Sequence, residues 1–174
     1  MSVVIWLTGL SGSGKTTIAE ALSDYMRENE VRHEILDGDI YRAVLSPRDG
    51  YSKQERDEFR YKVIFIAELL IRNNILCIIP LLSSTRKLRN EARSKFENFL
   101  EVYVKCPLEV CEKRDPKGHY KRVRKSEVAN FVGIDIPYEK PLNPEVIIET
   151  DKISILEAVE KIMTQLTNKY SNIV

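Results

Sequence analysis

A glycine-rich segment near the N-terminus, residues 9–16, constrains the fold of this chain more than any other part of it. It reads Gly-Leu-Ser-Gly-Ser-Gly-Lys-Thr and follows an apolar run over residues 3–7. An amphipathic segment begins directly after it. Strand, glycine loop and helix N-terminus in this order are typical of the phosphate-binding loop, or P-loop. A glycine turn that binds nothing would not require the Lys-Thr pair, so the motif predicts a nucleotide site.

The Lys-Thr pair at the end of this loop carries its expected chemistry. Glycines allow successive backbone N–H groups to turn inward and bind an anion, and the N-terminus of the following helix adds positive potential. Lys15 is expected to reach the β- and γ-phosphates of the nucleotide, and Thr16 to offer its hydroxyl to Mg²⁺.

Composition and charge limit the class of protein to which this chain can belong. The chain has 174 residues, and we expect one domain over residues 1–174. A formal net charge of +1 gives no general attraction to nucleic acid, and no apolar run approaches the roughly 20 residues that span a bilayer. Because the chain begins with a strand pattern, we expect no secretory signal. Three cysteines without metal-binding spacing predict free thiols and a cytoplasmic location.

Alternating apolar segments predict an α/β fold. The predicted architecture is a three-layer P-loop NTPase fold around a mainly parallel, five-stranded sheet. Tyr25, Ile155 and Leu156 are expected on inward helix faces. The predicted strands are residues 3–7, 34–36, 75–82, 100–104 and 146–148. One predicted helix follows the P-loop, two more span residues 53–73 and 86–97, a short helix starts at Pro107, and a last helix lies near the C-terminus. For residues 63–71 a strand is a weaker alternative.

Two carboxylates at the end of the second predicted strand are the candidate acids. Asp37 and Asp39 lie where ligands bind in open α/β sheets, at the carboxyl end of a strand. We predict that they hold Mg²⁺ through water or accept a proton from the substrate. The structural alternative is a solvated turn that caps a helix.

Basic residues cluster in two places. Arg42, Arg48, Arg56 and Arg60 surround the start of the long helix, and we expect one or two of them to face an anionic ligand rather than to pair with nearby acids. Residues 113–125 carry seven basic side chains in thirteen. Without repeated aromatic residues this run is a poor nucleic-acid patch, and we predict a basic lid over about residues 113–130 that closes on phosphates.

These features favour a kinase over the other P-loop classes. The segment Asn168-Lys169-Tyr170-Ser171 lacks the aspartate of a guanine-recognition motif, and no predicted strand ends in the Asp-Glu pair typical of motors. A kinase that binds a second anionic ligand typically has aspartates at the end of its second strand, arginines nearby and a basic lid, and this sequence has all three. A non-catalytic nucleotide-binding regulatory module is the remaining alternative.

Along nearly its whole length the sequence resembles the adenylyl-sulfate kinase family. The resemblance is carried by GLSGSGKTT at residues 9–17, LDGDIYR at 36–42, Gly50-Tyr51-Ser52, Arg56, Arg86-Lys87, and the long blocks 101–118 and 130–139. It implies transfer of the γ-phosphoryl group of MgATP to the ribose 3′-hydroxyl of adenylyl sulfate. Family members are often dimers, so it also allows a homodimer, although no clear interface stripe stands out in the sequence.

The resemblance assigns roles to particular residues. Asp39 would orient or deprotonate the attacking hydroxyl, Arg114 would lie along the ATP adenine, and Lys117 would arrive with the lid. Tyr51 and Phe131 would stack on the substrate base. The implied ATP-binding residues of the loop are Gly9, Ser11, Gly12, Ser13, Gly14, Lys15, Thr16 and Thr17. The implied acceptor-site residues are Asp39, Arg42, Tyr51, Arg56, Phe59, Leu82, Ser83, Lys117, Asn130 and Phe131, with Ser83 a ligand contact or a helix cap.

The departures from the family pattern fall on the acceptor side. Phe59 stands where the family usually has Asn, and residues 79–84 read Ile-Pro-Leu-Leu-Ser-Ser where the family usually has Thr-Ser-Phe-Ile-Ser-Pro. An added apolar ring could shrink the pocket to suit a smaller base. Two acceptors therefore stay open: adenylyl sulfate, or a pyrimidine nucleotide such as cytidine diphosphoramidate, which serves capsule phosphoramidate synthesis.

Overall fold

The protein forms one parallel sheet covered by helices on both faces. The computed structural model describes residues 2–46 and 52–170, apart from the side chain of Lys53. Within these ranges the strands are β1 (Val4–Thr8), β2 (His33–Ile35), β3 (Leu76–Pro80), β4 (Phe99–Lys105) and β5 (Val146–Glu149). The helices are α1 (Lys15–Glu28), α2 (Gly38–Leu45), α3 (Lys53–Arg72), α4 (Arg86–Arg93), α5 (Leu108–Arg114), α6 (His119–Arg124) and α7 (Ile155–Lys169). The strand order is β2-β3-β1-β4-β5, and each neighbouring pair is parallel, which confirms the predicted α/β fold.

The alternation of side chains along β1 explains the three layers. Ile5 and Leu7 point into a core shared with α1 and α7, while Val4 and Trp6 point into a second core shared with α3 and α4. Since both faces are covered, every residue of β1 and β3 is buried. Pro80 ends β3, where its missing N–H costs no ladder hydrogen bond.

Several local predictions need correction. For the segment after β2, the helix cap that was the structural alternative is present: α2 follows directly, and the Asp37 side chain accepts hydrogen bonds from the backbone N–H groups of Asp39 and Ile40. Helix α4 ends at Arg93 rather than near residue 97. Tyr25, Ile155 and Leu156 are exposed, since inward contacts of α1 and α7 fall on other residues of the same helices. The long α3 confirms the helix over the strand alternative.

Two further expectations can be checked directly. Cys77, Cys106 and Cys111 are free and buried, as predicted. In the described part of the chain, no helix combines the length and apolar character needed to cross a bilayer.

Candidate active site

The loop between β1 and α1 has the backbone of an anion nest. Gly12 has φ of +72° and Gly14 has φ of +101°, both in the left-handed region that glycine adopts at least cost. A Cβ atom on Gly12 would lie 2.8 Å from the carbonyl oxygen of Cys111, so a larger residue would push α5 away. Gly14 also precedes the first turn of α1, whose free N–H groups face the loop. The predicted phosphate cradle is therefore preformed.

Lys15 is held inside this cradle. Its Nζ donates to the carbonyl oxygens of Gly9 and Leu10 at 3.0 and 2.7 Å. Burial lowers the pKa of Lys15 to about 8, although the nearby carboxylates of Asp39 and Asp37 act in the opposite direction. An ammonium group with weak hydration and only carbonyl partners is well suited to exchange them for phosphate oxygens.

Thr16 and Asp37 form an oxygen pair beside the cradle. The Thr16 hydroxyl donates to Asp37 Oδ2 at 3.0 Å, while Asp37 Oδ1 accepts from the backbone N–H groups of Asp39 at 2.8 Å and Ile40 at 3.3 Å. Asp37 thus caps α2 with one oxygen and keeps the other toward Thr16. Hydroxyl and carboxylate oxygens suit Mg²⁺, which usually takes few protein ligands alongside water and phosphate. The described residues contain no group of three or more His, Cys, Asp or Glu side chains that could hold a metal ion.

Asp39 connects the second strand to the lid. It lies in the first turn of α2, and its Oδ2 accepts a hydrogen bond from Lys117 Nζ. Lys117 lies between α5 and α6, within the predicted lid. Both side chains are exposed enough to separate, so the ion pair is an adjustable contact between α2 and the lid.

Two arginines define the acceptor side of the cleft. The guanidinium carbon of Arg42 lies 4.3 Å from the centroid of the Phe59 ring. Arg56 donates to the backbone oxygen of Asn130 at 3.2 Å, which ties α3 to the end of the lid. Burial lowers the pKa of Arg56, and nearby Arg42 acts in the same direction, so this region favours an anion. Phe59 is only 1% exposed and supports Arg42 from beneath.

One cleft of about 1250 Å³ brings most of the predicted residues together. Phosphate-side and lid residues along its wall are Ser11, Gly12, Gly14, Lys15, Thr16, Thr17, Arg114 and Lys117. Acceptor-side residues along the wall are Asp39, Arg42, Arg56, Phe59, Leu82, Asn130 and Phe131.

Some predicted site residues lie elsewhere. Gly9, Ser13 and Asp37 lie behind the cleft wall rather than on it. Ser83 is also behind the wall and only 1% exposed, so a direct ligand contact would require it to become accessible; the cap of α4 is Thr85, whose hydroxyl accepts from the Leu88 N–H. Tyr51, like Arg48, lies outside the described residues.

The fourth arginine, Arg60, pairs with nearby acids, as the alternative to a ligand contact predicts, but it is buried rather than on the surface. Arg60 pairs with Asp57 at 2.9 Å and with Glu91 at 3.6 Å, and its side chain is buried at the base of the cleft. Of the arginines that can be placed, Arg42 and Arg56 are therefore the better candidates for holding an anion.

Sequence reasoning missed Thr150, which joins the P-loop to Arg114. Its hydroxyl donates to the Ser13 carbonyl oxygen at 2.8 Å and accepts from Arg114 at 3.1 Å, and its own carbonyl accepts from the same guanidinium at 2.8 Å. The available signal was its position directly after β5, at the carboxyl end of a parallel strand.

Tyr120 and Arg89 are two further missed residues: Tyr120 anchors the lid, and Arg89 holds the segment that follows it. The Tyr120 hydroxyl donates to the Ser11 carbonyl oxygen at 2.9 Å, and its ring meets Phe131 edge-on with centroids 5.0 Å apart. Buried Arg89 pairs with Glu101 at 2.8 Å and donates to the Glu139 carbonyl oxygen at 2.6 Å. The lid is thus fixed to the P-loop at Tyr120, and the segment beyond its end is held at Glu139, with Asn130 between these two contacts.

Known proteins resemble this chain along nearly its whole length. The family model for adenylylsulphate kinase matches residues 1–149. The adenylyl-sulfate kinase of Gloeothece citriformis (strain PCC 7424) is 48% identical over 164 residues, covering 94% of this chain and 93% of that protein. The APS kinase CysC of Mycobacterium tuberculosis, solved in complex with AMPPNP and APS, superimposes with a TM-score of 0.91 at 34% identity, covering 95% of this chain and 97% of that one. The hexameric APS kinase from Thiobacillus denitrificans gives a TM-score of 0.73 at 28% identity, covering 97% of this chain and 29% of that one.

Proposed function

Because this chain belongs to the adenylyl-sulfate kinase family, we propose that it transfers the γ-phosphoryl group of MgATP to the ribose 3′-hydroxyl of adenylyl sulfate, giving 3′-phosphoadenylyl sulfate. One observation carries this proposal: the phosphate cradle with Lys15, the acid Asp39 and the arginines Arg42 and Arg56 line a single cleft. A phosphoryl donor and an anionic acceptor can therefore meet in that cleft.

On the phosphate side, the loop backbone and Lys15 neutralise the triphosphate. When ATP binds, Lys15 Nζ exchanges the carbonyls of Gly9 and Leu10 for β- and γ-phosphate oxygens. The Thr16 hydroxyl and Asp37 would hold Mg²⁺, which would neutralise charge on the phosphates. Arg114, braced by Thr150, lies along the adenine. These groups stabilise the charge that develops on the leaving ADP.

On the acceptor side, Asp39 orients the 3′-hydroxyl and takes its proton. The 3′-oxygen bonds to the γ-phosphorus as the bond from that phosphorus to the β–γ bridging oxygen breaks, and the proton passes to the Asp39 carboxylate. Lys117 leaves Asp39 for the transferring phosphoryl group, which both frees the base and adds positive charge. Positioning and charge neutralisation carry the reaction without a covalent intermediate, and no step requires the buried Ser83.

The substrate's anionic groups are held by Arg42 and Arg56. Phe131 and Tyr51 stack on its base, with Leu82 and Asn130 completing the pocket. Arg42 lies above the Phe59 ring and Arg56 is tied to the Asn130 carbonyl, so both guanidinium groups are positioned before substrate arrives. Such preorganisation supports an anionic acceptor rather than a neutral sugar.

A pyrimidine nucleotide such as cytidine diphosphoramidate is the second candidate acceptor. The buried Phe59 ring favours it, because this position supplies apolar volume and no hydrogen-bond partner to a substrate base. In that case the protein would serve capsule biosynthesis with the same 3′-hydroxyl chemistry. With either acceptor we propose a cytoplasmic enzyme that works as a homodimer.

A panel of acceptors tests the proposal. Purified protein is mixed with MgATP and either adenylyl sulfate, cytidine diphosphoramidate or plain nucleotides, and the products are read by phosphorus NMR. We expect a new 3′-phosphomonoester signal with adenylyl sulfate. Preferential turnover of cytidine diphosphoramidate would shift the assignment to the second candidate. ATP binding without phosphorylation of any acceptor would favour a regulatory module.

A further inference from the structure

A buried arginine behind the acceptor side of the cleft joins three separate segments of the chain. Arg89, on α4, is only 2% exposed, and each of its three side-chain nitrogens has a partner. Nε pairs with Glu101 at 2.8 Å, Nη1 donates to the Ser83 carbonyl oxygen at 2.5 Å, and Nη2 donates to the Glu139 carbonyl oxygen at 2.6 Å. Burying a guanidinium group is costly unless its partners are in place, so this arrangement calls for a reason.

The two carbonyl groups that Arg89 bonds belong to the wall of the cleft. Residues 82–85 and residue 139 form what we call the acceptor wall: Leu82, Ser84 and Glu139 line the cleft, whereas Arg89 lies behind them. Two carbonyl oxygens cannot hydrogen-bond to each other, because both are acceptors. A donor placed between them is needed to hold the two segments together from the inside, and the planar fork of Arg89 supplies it.

Further hydrogen bonds join the same two segments. The Glu139 N–H donates to the Ser84 carbonyl oxygen at 2.8 Å. The Arg86 N–H donates to Glu139 Oε2 at 2.9 Å, and Arg86 Nε donates to the Lys140 carbonyl oxygen at 3.0 Å. The two bonds of Arg86 are exposed, and an exposed bond constrains less because water can replace either partner. The buried fork of Arg89 therefore contributes most to the spacing of the acceptor wall.

We propose that Arg89 is a positioning residue of the acceptor site, which holds the two segments of the acceptor wall at the spacing that the acceptor nucleotide requires and touches neither nucleotide. This inference rests on the function proposed above and adds a residue to it. Because the nest on the phosphate side is built from its own backbone, loss of the fork weakens binding of the acceptor and not of ATP.

Arg89→Lys tests the fork while it keeps a positive charge beside Glu101. A lysine ammonium is a compact group and cannot bond the Ser83 and Glu139 carbonyls in the geometry of the fork. By calorimetry with a non-hydrolysable ATP analogue present, the dissociation constant of adenylyl sulfate, or of cytidine diphosphoramidate if the acceptor panel selects it, should rise about tenfold. The dissociation constant of the analogue should stay within about twofold of wild type. An unchanged acceptor constant would overturn the proposal.

Arg93→Lys, one turn further along α4, is the matched control. Arg93 pairs with Glu101 at 3.3 Å and with Glu145 at 2.6 Å, and these three residues do not line the cleft. We expect Arg93→Lys to lower the melting temperature, as Arg89→Lys does, and to leave both dissociation constants near the wild-type values. An equal rise of the acceptor constant in Arg93→Lys would mean that general loosening of α4 is responsible, and would also overturn the proposal.

A second variant keeps the test decisive if Arg89→Lys does not fold. Arg89→Met combined with Glu101→Leu removes both buried charges together, and such a replacement often costs little stability. It leaves the two wall carbonyls without their guanidinium donor, so acceptor binding should weaken at least about tenfold; acceptor binding as tight as in wild type would contradict the proposal. Wild type that binds the acceptor without phosphorylating it would overturn the proposed function alone, and wild type that does not bind it would overturn both.

Discussion

The two sides of the cleft are built on different principles. On the phosphate side, backbone carbonyls hold Lys15, and Thr150 joins the Ser13 carbonyl to Arg114, so hydrogen bonds to the backbone set the geometry. On the acceptor side, side chains from separate segments meet across open space, as in the pairing of Asp39 with Lys117. The first arrangement is formed before any ligand arrives, whereas the second contains the exposed ion pair of Asp39 with Lys117, which must separate when a ligand binds.

This difference separates binding of the donor from choice of the acceptor. A triphosphate presents the same oxygens in every reaction, so a fixed nest of amides serves it well. Acceptors differ in base and anion, and a surface made of α2, α3 and the lid can change its specificity by substitutions that leave the nest intact. Phe59, where the sequence departs from the usual family pattern, lies on this acceptor side.

The largest expected effect comes from removing the phosphate-side cation. Lys15→Ala should lower ATP-dependent phosphorylation by about 10³-fold, because it removes the ammonium group that the Gly9 and Leu10 carbonyls hold inside the loop. Initial rates and a thermal melt measure activity and folding. Lys161→Ala, on the exposed side of α7, is the control. Turnover of Lys15→Ala within a few-fold of wild type would refute its role.

Removing Asp39, the proposed base on the acceptor side, should affect the chemical step alone. We expect Asp39→Asn to lower kcat about 10²-fold while the dissociation constant of an ATP analogue, measured by calorimetry, stays near the wild-type value. Asp151→Asn, at an exposed position after β5, is the control. A large loss of ATP affinity in Asp39→Asn would mean that this carboxylate belongs to the phosphate side instead.

The difference between the phosphate side and the acceptor side also explains which parts of the site the sequence could predict. The P-loop is local, since eight consecutive residues determine the nest, and its strand and helix follow from hydrophobic spacing. Contacts such as Asp39 with Lys117 or Arg56 with Asn130 join residues 78 and 74 positions apart. Their partners depend on how the lid returns across the cleft, and only the family resemblance indicated that they share a site.

Thr150 and Arg89 were missed for a related physical reason. Each acts through hydrogen bonds to backbone carbonyls, and such bonds leave no pattern in the spacing of residues. The cap of α2 was foreseen only as an alternative, and the exposed Leu156 shows that apolar spacing alone does not decide which side of a helix packs.

A rise in pH should weaken the binding of the phosphoryl donor, ATP, more than the binding of the acceptor. Burial lowers the pKa of Lys15 to about 8, so its positive charge is present below that pH and is lost as the pH rises through it. We expect the KM for ATP to rise about tenfold between pH 7 and 9, since each pH unit above the pKa removes about nine-tenths of the remaining charged form. The KM for the acceptor should change little, because the acceptor side relies on guanidinium groups, which as a class keep their charge in proteins. Equal changes in the KM for ATP and the KM for the acceptor would contradict the distinction between the two sides of the cleft.

The smallest effect should come from Thr150→Val, which keeps the side-chain shape and removes the hydroxyl. The variant loses the bonds to Ser13 and Arg114, and about 1 kcal/mol of binding energy corresponds to about a fivefold higher KM for ATP. Thr164→Val, exposed on α7, controls for the substitution itself. If the KM for the acceptor rose by the same factor, the phosphate side would be shown to set the geometry of the acceptor side. An unchanged acceptor KM would mean that the two sides of the cleft respond independently, although one lid closes over both.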